Sequence, residues 1–212
     1  YAYAMGMAAL FGLLPNLGIS TLLTRSLARD PAASGGMLSA CVRGQFLLAL
    51  GVLALVPAVA AALPERPLPI WGVGLAAAQL ALGTLGWPYL AVLAGRARYD
   101  RLALVELAAA AGGCVLVVAT ALLRGGVGAF LMAHVLAAGF AAWVARSVAQ
   151  PHLPPSDGES MRLGALFRQA APLGAMSAVQ SLYTRIDLVL LGQLAAPAAL
   201  GLYSAAYKPV NV

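Results

Sequence analysis

Apolar positions along this chain come in continuous runs rather than in alternation. Stretches free of Asp, Glu, Lys and Arg cover residues 1–24, 44–63, 67–95, 107–123, 125–145 and 169–184. At about 1.5 Å of rise per residue, about 20 helical residues cross the roughly 30 Å hydrocarbon core of a bilayer, and most of these runs reach that length unaided. A membrane strand would instead alternate apolar and polar residues over about ten positions. The pattern therefore predicts an all-α, polytopic transmembrane bundle. The sixth run, extended through its charges to about Leu194, makes six spans, and a partial seventh begins near Leu200.

Composition agrees with the pattern. Of 212 residues, 62% are hydrophobic and 9% charged, against roughly a quarter charged in soluble domains. The first residue is Tyr1, with no basic stretch before the first apolar run, so that run does not read as a signal peptide. It reads as a helix entered partway.

The net charge of +6 has a topological explanation that fits better than nucleic-acid binding, because the arginines lie between spans and not in a stripe with interleaved aromatics. Counting through the spans, Arg25, Arg29, Arg43, Arg96, Arg98, Arg101, Arg146, Arg162 and Arg168 fall on one side and only Arg66 and Arg124 on the other. By the positive-inside rule the first side is cytoplasmic. Tyr1 then lies outside, and one helix is expected to precede it.

The longest polar connection, QPHLPPSDGESM at 150–161, reads as a cytoplasmic linker between two bundles. The expected organisation is five spans of an N-terminal lobe in 1–149, the linker at 150–161, and the start of a C-terminal lobe in 162–212. Within 162–171, Leu163, Leu166 and Phe167 recur at helical spacing with Arg162 and Arg168 outside that set. That spacing predicts a short amphipathic lead-in at the membrane surface. Tyr1 and Ala4 recur as Tyr203 and Ala206, an echo consistent with two related halves.

The segment APLGAMSAVQSLYTRIDLVLLGQLAAPAALGLYSAAYK, 171–208, resembles the start of the second half of bacterial polysaccharide-unit flippases, the O-antigen and capsule translocases of the multidrug/oligosaccharidyl-lipid/polysaccharide exporter superfamily. Pro172 opens the helix, Arg185-Ile186-Asp187 and Gly192 follow, and Gly201-Leu202-Tyr203-Ser204-Ala205-Ala206-Tyr207 comes after a short turn. Upstream, Pro15-Asn16-Leu17-Gly18-Ile19 followed by Arg25 and Ala28 is similar to that family's second helix and its cytoplasmic exit. Asn16 departs from the pattern, since an acidic residue often stands there. The resemblance implies an inner-membrane transporter that moves oligosaccharide units on polyprenyl pyrophosphate by alternating access. Membrane lipids, the lipid-linked glycan and the glycan polymerase machinery are the implied partners.

Candidate chemistry concentrates in the sixth span. At about 100° per residue, Gln180, Ser181, Thr184, Asp187, Ser177 and Arg185 share an arc of roughly 160° opposite Val179, Leu182, Ile186 and Leu190. Arg185 and Asp187 point about 200° apart, so they cannot pair with each other on one helix. A guanidinium in a cavity suits bidentate phosphate binding; the competing reading is snorkelling or a carboxylate partner on another helix. Lys208 could face the same cavity. Arg25 is read first as a topological signal and second as a gate residue, and Glu106 as pairing with a nearby arginine at the interface.

No G-x-x-x-x-G-K-[ST] loop is present to bind ATP, and no residue pattern calls for a cofactor. Cys41 and Cys114 lack metal-ligand spacing and read as free packing residues. Lone His134 is read as an interhelical hydrogen-bonding group before a proton relay. Two readings compete with the flippase: a cation-coupled drug exporter or peptidoglycan-precursor flippase of the same superfamily, and a membrane enzyme acting on polyprenyl-linked sugars. The enzyme would need acidic clusters in the loops, and the outer loops supply only Glu65.

Overall fold

A computed structural model describes residues 17–30, 35–62, 70–154 and 161–194, with side chains in the last stretch described through Ser177 and at Val179. These residues form seven α-helices and one 3₁₀ turn, with no strand among them. In chain order they are α1 (Ile19–Arg29), α2 (Gly35–Ala62), α3 (Ile70–Leu85), α4 (Trp87–Gly95), α5 (Tyr99–Leu122), α6 (Val127–Ala149), the turn at Gln150–His152, and α7 (Leu163–Leu194). The all-α expectation holds.

Four of the described stretches are long and apolar enough to cross a bilayer: Gly35–Ala62, Ile70–Gly95, Tyr99–Leu122 and Val127–His152. Their outer surfaces show which solvent they expect. Along α5 only Val105 is buried, while Leu107 is 73% exposed and Val115 66% exposed. A helix apolar on all sides but barely covered by protein has lipid as its remaining partner. The helix α7 has the length, 32 residues, but Arg168, Arg185 and Asp187 dilute its apolar character. Most of the first expected span and all of the partial seventh lie outside the described residues.

Helix ends depart from the charge-free runs in a systematic way. The helix α2 begins at Gly35 and takes in Arg43, and α5 begins at Tyr99 and takes in Arg101 and Glu106. Charge-free length measures the hydrocarbon layer, whereas a helix continues into the headgroup region until its backbone is capped. The turn after α4 does this with Ala97 at φ 54° and an Arg98 N–H donating to the Leu93 carbonyl at 2.9 Å. Arg124 at φ 52° ends α5 similarly, where the Gly125 N–H donates to the Thr120 carbonyl at 2.9 Å.

The run expected over 67–95 is interrupted. Pro88 has no N–H to give to the carbonyl four residues back, and the chain divides into α3 and α4 at Gly86. At that joint α6 comes close enough that a Cβ on Gly86 would lie 3.2 Å from the Ala142 Cα.

Packing follows chain neighbours and adds longer excursions, among them the contact of α1 with α7. The helices α5 and α6 pair, α2 pairs with α3, α3 with α6, and α1 with α4. The largest core cluster joins Ile19, Leu23 and Leu27 of α1 with Met37, Leu38, Ala40 and Cys41 of α2, Ala91 and Val92 of α4, and Leu166 and Ala170 of α7.

The amphipathic segment expected at 162–171 packs its apolar face against this cluster. It is the first part of one continuous helix, and its apolar face, with Leu166 fully buried, packs into the protein core. The periodicity identified the face; it could not say whether protein or lipid would cover it. Pro172 does not open the helix either, as it lies inside α7 at an exposed position.

Candidate functional site

Two close approaches position the polar parts of the bundle. The first is the crossing of the start of α1 with α7, where Gly18 adopts φ 75°. A Cβ on Gly18 would lie 2.5 Å from the Gly174 backbone nitrogen, and one on Gly174 would lie 2.7 Å from the Leu17 carbonyl carbon and oxygen. Backbone meets backbone there, so neither glycine has a flexible neighbour that could yield. The second brings α1 against α4, where a Cβ on Gly95 would meet Leu27 Cβ at 2.8 Å and the Thr24 carbonyl at 3.0 Å.

Between α1, α4 and α5 lies a cavity of about 580 Å³. Ser20, Thr21, Thr24 and Arg25 line it from α1, Trp87 and Leu90 from α4, and Glu106 from α5. Thr24 Oγ1 donates to the Ser20 carbonyl at 3.0 Å and lies 3.4 Å from the Ala91 carbonyl, which ties the α1 wall to α4. Ser20 Oγ is shielded from solvent with no hydrogen-bond partner among the described residues.

Glu106 corrects one expectation. It does not pair with an arginine of its own loop; Asp100 takes that place, with Arg98 Nε at 3.2 Å and Arg101 Nε at 3.6 Å. Glu106 instead shares the cavity with Arg25, and no ion pair joins the two within 4.0 Å among the described residues. An acid and a base facing one cavity without contact leave room for water or a polar ligand between them, and bringing them together would close it. Sequence reasoning missed this juxtaposition because it joins residues 81 positions apart through tertiary packing.

The structure places the remaining candidates unevenly. The backbone of α7 is helical through Gln180, Ser181, Thr184, Arg185 and Asp187, which is the condition for their shared arc, while their side chains lie outside the described residues. Lys208 lies outside them too. Ser177, from the same arc, is half-buried and its hydroxyl donates to the Leu173 carbonyl at 3.0 Å, returning to its own helix. His134 Nδ1 makes the same kind of bond, 2.9 Å to the Phe130 carbonyl. Cys41 is buried and Cys114 exposed, both free thiols, and no group of three metal-ligating side chains occurs among the described residues.

Among curated proteins and among solved structures, none matches the chain. A family model described as polysaccharide biosynthesis protein matches residues 1–212, the whole of the sequence. An all-helical membrane bundle carrying that match end to end belongs to the polysaccharide biosynthesis protein family.

Proposed function

We propose that this chain acts in a transporter that moves lipid-linked oligosaccharide, repeat units carried on polyprenyl pyrophosphate, across the bacterial inner membrane by alternating access. The observation that carries the reading is the family match over all 212 residues on a bundle of membrane-length helices. Glycan building needs such a bundle at one step, because a bulky, charged lipid-linked sugar must cross a layer that its polar head cannot enter unaided.

In this reading the arginine-rich ends of the helices and the 150–161 linker are cytoplasmic. Arg185 binds the pyrophosphate, with Gln180, Ser181, Thr184 and Asp187 on the same helical arc and Lys208 facing the same cavity. Arg25 is a gate residue, and its facing Glu106 across the α1–α4–α5 cavity supplies the partner it would close against. No residue is assigned a catalytic role, and binding and release of substrate are the work of the protein. The polysaccharide family favours a glycan cargo over the drugs of a cation-coupled exporter; a peptidoglycan-precursor flippase would share the same lipid carrier chemistry.

Depleting the protein in its native host should remove the surface glycan and raise the level of lipid-linked oligosaccharide, read by mass spectrometry of extracted lipids. Undiminished surface glycan with no such accumulation would contradict the reading. Drug sensitivity with the glycan intact would favour the exporter.

A further inference from the structure

A second cavity, of about 660 Å³, opens between α2, α3, α4, α6 and the first turn of α7. Its body is apolar and aromatic, with Phe46, Leu47, Leu82, Tyr89 and Trp143 among its walls, and its charged groups are Arg43 and Arg146. No carboxylate lines it among the described residues. Phe46 is 52% exposed and Trp143 63% exposed, so the cavity is a groove on the outside of the bundle. It continues onto the exposed leucines of α2, among them Leu50 and Leu53.

Both arginines belong to one end of the bundle. Arg146 lies in the last turn of α6, whereas the start of α6 lies beside the start of α3, where a Cβ on Gly128 would lie 3.1 Å from the Trp71 ring. Arg43 shares the groove with Arg146, and the Arg43 Nε donates to the Ser39 carbonyl at 3.3 Å, which sets its guanidinium along α2. Trp143 stands three residues before Arg146, and Phe140 packs near it with ring centroids 6.0 Å apart. An aromatic pair just inside a pair of cations marks the depth where acyl chains give way to headgroups.

We infer that this groove binds an anionic phospholipid of the leaflet at the arginine-bearing end, its phosphate between Arg43 and Arg146 and an acyl chain along Phe46, Leu47, Leu82 and Trp143. Charge complementarity selects the occupant. Two cations with no acid among the described lining residues disfavour another basic or neutral surface, and a guanidinium fork suits a phosphodiester. Basic pockets between membrane helices take anionic headgroups by the same physics. The site is separate from the cavity of Arg25 and Glu106 and does not depend on which substrate the protein carries.

The test uses the full-length protein expressed from its gene with Trp143 as the only tryptophan, reconstituted in phosphatidylcholine vesicles. An equal small mole fraction of phosphatidylglycerol or phosphatidylcholine with brominated acyl chains is added to each. Brominated phosphatidylglycerol should quench Trp143 at about a thirtyfold lower mole fraction, the size expected for two basic residues near an anionic headgroup. Arg43→Gln with Arg146→Gln should remove the preference. A companion protein with Trp71 alone reports from the opposite end and should quench equally with both lipids before and after the substitutions, which also shows that the variant is folded. If the double variant fails to fold, Arg146→Gln alone should remove about a fivefold share of the preference. Equal quenching of Trp143 by both lipids marks an ordinary lipid-facing surface, no quenching by either marks a face covered by protein, and an unchanged preference in the arginine variants places the selectivity elsewhere. Each of these results overturns the inference.

Discussion

Replacing Gly174 by leucine is expected to abolish stable folding of the bundle, and replacing it by alanine to weaken folding measurably. The added Cβ alone would lie 2.7 Å from the Leu17 backbone, and backbone can move only if α1 and α7 separate. Overpacking of this kind typically costs about 1–3 kcal/mol for the smaller change and more for the larger. At the facing position, Gly18→Ala adds the cost of a left-handed backbone, about 1–2 kcal/mol, because φ is 75° there. Thermal unfolding in detergent reads the effect, at roughly 2–4 °C per kcal/mol for a chain of this size. Gly164, on the same helix, has nothing within 4 Å of the place a Cβ would take, so Gly164→Ala should be neutral or gain up to about 1 kcal/mol of helix propensity. If Gly174→Ala and Gly164→Ala behave alike, the α1–α7 crossing is not tight in the folded protein.

Arg185→Ala in the full-length protein should abolish or sharply reduce glycan export while leaving its abundance in the membrane intact. A cavity arginine contributes to binding more than to folding, and Arg185→Lys should restore export only in part because a point charge lacks the bidentate fork. A structural arginine would leave a different record. Its loss would strand a buried carboxylate and lower abundance, and neutralising that carboxylate as well should restore folding. Normal export at normal abundance by Arg185→Ala would exclude both roles and leave snorkelling at the interface.

Which parts of this molecule could be read from its sequence follows from the range of the forces involved. Solvent preference is a property of long windows, so the helical membrane class and the spans over α2 to α6 were legible from the absence of charge alone. The break at Pro88 has a local cause, because proline removes a donor whatever surrounds it. The face of Leu163, Leu166 and Phe167 was legible as a face, but its covering was not, since a protein core and a lipid interface ask for the same periodicity. Glu106 was assigned to its sequence neighbours because short-range pairing can be counted along the chain; its place opposite Arg25 depends on how α1 and α5 flank α4. The glycine crossing left a signal in Gly18 itself, which stands among the residues that carry the family resemblance, although nothing local identifies Gly174 as its counterpart. For Gln180, Ser181, Thr184, Arg185 and Asp187 the arc on α7 remains a reading of helical phase.

The central claim, that the protein carries lipid-linked oligosaccharide across a bilayer, is tested most directly by transbilayer movement in vesicles. Full-length protein is reconstituted with polyprenyl-pyrophosphate-linked oligosaccharide loaded in both leaflets, and an impermeant glycosidase is added outside. In protein-free vesicles only the outer-leaflet pool is cleaved. With the protein present, the account predicts that the inner pool also becomes cleavable over time, and more slowly with Arg185→Ala. An inner pool that stays protected in sealed vesicles containing folded protein would contradict it.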